Sequence, residues 1–155
     1  MEYKQLTIDA EKGDIYQNYL MQVLALSKDW ANEKTCPSYQ ASQLEDFYGS
    51  ELFLVLQQDR VVAYATGNIK VLNEKTSYNV EGEQAFELEE LYVKPTFRHQ
   101  DIGRNLFRFI EKQMIGKVDL IGLTATSYRY PDLLRFYIDE LGMTFNHALL
   151  IKRMD

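Results

Sequence analysis

The stretch Leu88-Glu89-Glu90-Leu91-Tyr92-Val93-Lys94-Pro95-Thr96-Phe97-Arg98-His99-Gln100-Asp101-Ile102-Gly103-Arg104 carries the most specific pattern in this chain. Its first half reads as the end of a strand running from about Ala85 to Val93, closed by Pro95, which removes a ladder donor. From Gly103 onward Leu106, Phe109, Ile110 and Met114 recur at helical spacing, so a helix is expected to about Met114. The turn between them therefore opens a helix. Backbone amides in a helix's first turn lack intrahelical partners and sit at the positive end of its dipole, which suits them to phosphate oxygens. Gly103 allows close approach of a ligand, while Arg98 and Arg104 supply positive charge. A surface helix capped by Asp101 is the plainer alternative.

On the N-terminal side of this stretch, Tyr3 to Ile8 reads as a short strand, and a helix is expected from about Asp14 to Trp30 on the spacing of Ile15, Tyr19, Val23 and Leu26. A second short helix is expected over Ser42 to Tyr48. Leu52 to Leu56 and Val61 to Thr66 are strand-like runs separated by Gln57-Gln58-Asp59-Arg60, an antiparallel hairpin. A solvated loop spans Asn73 to Gln84. Beyond the central helix come a strand over Val118 to Leu123 and a last helix with Pro131 in its first turn, Leu134, Ile138 and Leu141 on one stripe, and Gly142 as its stop. The tail Met143 to Lys152 reads as a final strand. The order predicts an α/β (α+β) fold: one domain over residues 1–155, with a mixed, mostly antiparallel sheet of about six or seven strands and about four helices.

Composition narrows the function classes. Of 155 residues, 46% are hydrophobic and 13% aromatic, too rich for disorder, and no apolar run reaches bilayer-spanning length. The N-terminal residues lack the basic flank and apolar block of a secretory signal, so a soluble, cytoplasmic protein is expected. With 17 Lys+Arg against 23 Asp+Glu, the net charge of −6 disfavours nucleic acid and gives a weak preference for cationic ligands. One cysteine, Cys36, cannot form an internal disulfide, and His99 and His147 lack the clustered partners of a metal site. No metal is expected.

The stretch from Leu88 to Phe107 resembles the central segment of the GNAT superfamily of N-acyltransferases, whose pattern is Arg/Gln-x-x-Gly-x-Gly/Ala after a strand ending L-x-V. Leu91, Val93, Arg98, Ile102, Gly103 and Leu106 match, while Asp101 stands where the first glycine is expected. Asp is among the few non-glycine residues that enter left-handed backbone conformations readily, so the turn is expected to survive with its carboxylate pointing toward Arg98, Arg104 or solvent. A second segment, Phe136-Tyr137-Ile138-Asp139-Glu140-Leu141-Gly142-Met143, resembles the family's late motif with one extra residue before the glycine. The family's asparagine seven residues before that tyrosine is replaced by Tyr130.

The resemblance implies transfer of an acetyl group from acetyl-CoA, as co-substrate, to a primary amine by direct attack. It implies cofactor binding by Leu91, Tyr92 and Val93, whose backbone pairs with the pantetheine arm, and by Arg98, His99, Gln100, Asp101, Ile102, Gly103 and Arg104. Tyr130, at the departure from the family pattern, is a candidate to stack on or hydrogen-bond the pantetheine or adenine portion, and Arg129 a candidate to reach a phosphate. Tyr137 takes the place of the general acid. An attacking amine must first lose its proton, and Glu89 and Glu90 are the candidate acceptors. Strand alternation puts Glu87 and Glu89 on the side of Leu91 and Val93, with Glu90 opposite. Similarity to the polyamine acetyltransferase branch favours Glu89. Trp30, Tyr39 and Tyr48 are candidates for lining an acceptor pocket or for ordinary packing. The acceptor class expected is a small cationic amine. A protein lysine or N-terminus, and a non-catalytic acyl-CoA-binding or regulatory module, stay open, as does a homodimer; a nucleotide-binding α/β domain ranks last.

Overall fold

The computed structural model describes residues 1–11 and 16–154. Its elements are β1 (Glu2–Thr7), α1 (Gln17–Glu33), a single 3-10 turn (Leu44–Phe47), β2 (Glu51–Gln57), β3 (Arg60–Val71), β4 (Gln84–Val93), α2 (Ile102–Met114), β5 (Leu120–Gly122) and α3 (Tyr130–Leu134), which runs directly into a π-helical turn (Arg135–Glu140). Asp14 and Ile15, where the first helix was expected to begin, lie outside the described residues.

The strands lie in the order β1-β2-β3-β4-β5, the first four antiparallel to their neighbours and β5 parallel to β4. Leu52-Phe53-Leu54-Val55-Leu56 is unbroken hydrophobic sequence because both faces of β2 are covered. Leu52, Leu54 and Leu56 pack with Leu20, Val23 and Leu26 of α1, whereas Phe53 and Val55 pack with Leu106, Phe107 and Ile110 of α2. Among the described residues no helix is long and apolar enough to cross a membrane.

Three expectations need correction. Among the described residues the sheet has five strands, because Val118–Leu123 contracts to Leu120–Gly122 and Met143–Lys152 forms no strand. The described residues form three α-helices, and the expected second helix is only the 3-10 turn. The regular alternation along β4 is broken: Thr66 pairs with Glu90 and Gly67 with Leu88, so Glu89 is left as a bulged residue. Leu88, Leu91 and Val93 consequently all pack on the α2 side, and Glu90 is followed by Tyr92 in the α1 cluster. The close packing at the bulge requires glycine at position 67, since a Cβ there would run into the buried Phe86 ring and the Glu87 carbonyl oxygen.

Candidate active site

The pairing of β4 with β5 stops at Glu87 and Gly122. Beyond that point the two parallel strands separate, and β4 from Leu88 to Val93 has no neighbour on that side. A cleft of about 430 Å³ opens there, walled by Leu91, Tyr92 and Val93 on one side and by Thr126, Ser127 and Arg129 on the other. Ile102, Gly103 and Arg104 close one end, with Phe136 and Tyr137 beside them.

Two non-glycine residues of the turn, His99 (φ 63°) and Asp101 (φ 61°), take the left-handed conformation that the chain needs to enter α2. Asp101 occupies the N-cap position, yet its carboxylate makes no capping hydrogen bond and pairs instead with the Arg104 guanidinium. The first-turn amides thus face the cleft without a side-chain acceptor from their own cap. A Cβ at Gly103 would stand 3.4 Å from the Phe136 ring and 3.6 Å from Val93, ordinary contact distances.

Arg98 lines the cleft, but its guanidinium is already engaged. Nε donates to the Val93 carbonyl at 2.9 Å, Nη2 pairs with Glu33 at 2.9 Å, and the group lies over the Tyr92 ring. It ties α1 to the end of β4 rather than standing free for an anion. Tyr92 stacks on Trp30, and among the described residues its buried hydroxyl has no partner at hydrogen-bond geometry. Burial and the Glu33 carboxylate push that phenol up to about 12. An unpaired strand edge, open helix-start amides and an orphaned buried hydroxyl on one cleft fit a ligand with an amide-bearing arm and a phosphate group.

Tyr137 is 8% exposed, packed edge-on to Phe107 and Phe136, and burial pushes its phenol up to about 12. The π-helical turn that carries it accommodates the extra residue before Gly142: Leu141 donates to the Phe136 carbonyl, five residues back.

Of the residues expected from sequence, the cleft gathers Leu91, Tyr92, Val93, Arg98, His99, Asp101, Ile102, Gly103, Arg104, Tyr137 and Trp30. Gln100 does not line it, nor does Tyr130, which is exposed at the start of α3. Neither Glu89 nor Glu90 lines it; Glu89 is exposed on the bulge and accepts from Asn68 at 3.1 Å. The half-buried acid is Glu90, which accepts hydrogen bonds from Tyr39 (2.9 Å), Tyr64 (2.8 Å) and Ser42 (3.0 Å). No cation among the described residues pairs with it. Burial raises the phenols of Tyr39 and Tyr64, so both remain hydroxyl donors. Tyr39 stacks on Trp30 at 4.2 Å between ring centroids, which joins this group to the cleft wall. Tyr48 stays apart, exposed beyond the 3-10 turn. Reasoning from sequence missed the Glu33–Arg98 pair and the Tyr39–Tyr64–Ser42 shell of Glu90, because each of these groups lies tens of residues from its partner and carries no local signal. Cys36, half-buried at the cleft mouth, has its thiol pushed up by burial.

No curated protein matches this sequence. Solved structures do match in fold. An aminoglycoside acetyltransferase from an uncultured soil metagenomic sample, in complex with trehalose, superposes with a TM-score of 0.67 at 14% identity, covering 99% of this chain and 95% of that one. The aminoglycoside N-acetyltransferase AAC(6')-Iy in complex with CoA gives 0.65 at 13% identity, with 99% of each chain covered. A ribosomal-protein-alanine N-acetyltransferase from Brucella melitensis biovar Abortus 2308 gives 0.62 at 14% identity, covering 99% of this chain and 100% of the other. The splayed strands, the helix-start turn and Tyr137 all fall within residues 19–143, which match the acetyltransferase (GNAT) family, and the chain belongs to that family.

Proposed function

We propose that the protein is an acetyl-CoA-dependent N-acetyltransferase whose acceptor is a small cationic primary amine. The observation that carries the reading is the convergence on one cleft of the unpaired β4 edge, the uncapped first-turn amides of α2 and the Tyr137 hydroxyl. Acetyl-CoA, as co-substrate, supplies the thioester. The amides of Ile102, Gly103 and Arg104 hold its pyrophosphate, and the backbone of Leu91 to Val93 takes the amides of its arm and orients the acyl group. Tyr137 donates to the sulfur as negative charge develops there. Its phenol is a weaker acid than a thiol of about 8.5, so the proton moves only as the carbon–sulfur bond breaks.

Between the two candidate acids, the role of holding the acceptor goes to Glu90 rather than to the exposed Glu89. A half-buried carboxylate that is solvated by three hydroxyls and lacks a counter-ion attracts an ammonium group. Steady-state kinetics on a panel of polyamines, aminoglycosides and lysine-bearing peptides tests this. Glu90→Gln raises KM for the best cationic acceptor by about tenfold or more, the worth of a charge-assisted hydrogen bond, while Glu89→Gln stays near wild type. The reverse pattern, or no effect of either, overturns the assignment.

A further inference from the structure

A second cavity, of about 440 Å³, opens where α1, the β2–β3 turn and the residues after β4 meet. Its volume lies in the range of about 300–1,000 Å³ usual for small-molecule sites. Phe97 is the one lining residue it shares with the cleft beside β4, so a ligand held here leaves that cleft free.

Hydrogen bonds hold the walls in place. Gln58 (φ 49°) and Asp59 (φ 62°) take left-handed conformations in the two-residue turn. Asp59 accepts from the Tyr19 hydroxyl at 2.6 Å, and the Gln22 side chain accepts from the Val61 amide at 2.9 Å, so the turn is fastened to α1 at two points. The Lys94 amide donates to the Val62 carbonyl at 2.9 Å, which sets that residue beside β3. Leu26, Val61 and Phe97 give the cavity an apolar lining.

Three charged side chains line the same volume: Asp29 on α1, Arg60 at the start of β3 and Lys94 beyond β4. Among the described residues none of them has an ionic partner, although opposite charges share the cavity. Asp29 thus stands beyond ion-pair distance of either cation. Two cations suit one carboxylate, and the single acid suits one ammonium group.

We infer that this cavity binds a free α-amino acid with an apolar side chain. Its carboxylate lies between Arg60 and Lys94, its ammonium on Asp29 and its side chain on Leu26, Val61 and Phe97. A ligand that carries only one of these charges leaves a protein charge partly desolvated and unpaired, which selects the zwitterion over either half of it. The group around Glu90 takes no part, so the inference does not rest on the acceptor reading.

Calorimetric titration of leucine, with and without saturating CoA, tests this; isocaproate and isoamylamine serve as probes that lack the ammonium and the carboxylate. Leucine is expected to bind at one site per chain with the same affinity in both conditions, and each analogue about tenfold more weakly or worse. Lys94→Gln and Asp29→Asn, at exposed positions without side-chain partners, each weaken leucine by about tenfold or more, with CoA affinity and unfolding midpoint unchanged. Glu90→Gln leaves leucine binding at the wild-type level. Absence of leucine binding overturns the inference, as does an analogue that binds as well as leucine, or an affinity that neither cavity variant alters. Leucine binding that is lost in Glu90→Gln or displaced by CoA also overturns it, since the amino acid then occupies the cleft or the acceptor group. Failure of the acceptor reading is a separate result: Glu90→Gln without effect on the amine panel leaves the leucine titrations as they stand.

Discussion

Asp101 shows what one residue does when it replaces a glycine at a turn. Its left-handed backbone was legible in the sequence, because Asp tolerates φ near +60° where most side chains do not. Its outward pairing with Arg104 follows from the same preference for keeping a carboxylate away from an anion site. Asp101→Gly should therefore fold normally and bind CoA more tightly, by about 1 kcal/mol or roughly fivefold, as a negative charge leaves the positive end of α2 and Arg104 is released; calorimetric titration checks this, and weaker binding would contradict it. Arg98 was not legible in the same way, because its partner Glu33 is 65 residues distant in sequence. Tyr137 makes a statement about pH. Its phenol, pushed up to about 12, remains protonated throughout the working range, whereas the acceptor's ammonium, near 10.4 if lysine-like, must deprotonate. The rate of acetyl transfer at subsaturating amine should rise with pH from neutral into the alkaline range without a descending limb, and a fall near neutrality would remove Tyr137 from the role of donor.

Among the elements, hydrophobic period located β2, β4 and α2 well, because those segments bury a full face or both faces, whereas β3 runs to Val71, five residues beyond its expected end, along an exposed stretch that carries no such period. It failed where geometry departs from the regular period. Strict alternation puts Leu91 and Val93 opposite Leu88, but a bulge at Glu89, beside Gly67 of the neighbouring strand, resets the count and brings them to the face of Leu88. An isolated glycine inside a strand was the available signal. Gly67→Ala should destabilise the fold by about 1–3 kcal/mol in chemical denaturation, since neither the buried Phe86 ring nor the Glu87 backbone can yield without moving β4. An unchanged midpoint would show that the close packing does not require glycine at this position. The extra residue between Tyr137 and Gly142 was visible as a departure in spacing; its outcome, a π-helical turn, is how a helix absorbs one residue without rotating the turns beyond it.

For the molecule as a whole, fold class and the position of the cleft were readable because one strand-turn-helix segment and one late helix bracket the place where β4 and β5 part. The number of strands was not, since residues 143–152 carry a strand pattern yet form no strand. The net charge of −6 agrees with a cationic acceptor but does not select one. Acetyl transfer in this cleft, with Tyr137 as proton donor, is put to the test by an initial-rate assay with acetyl-CoA and the amine panel, run on wild type and Tyr137→Phe alongside CoA titration. Wild type should acetylate at least one cationic amine, and Tyr137→Phe should lose roughly 10²-fold or more in kcat with CoA affinity unchanged. Tight CoA binding without transfer to any amine, or full activity in Tyr137→Phe, would contradict it.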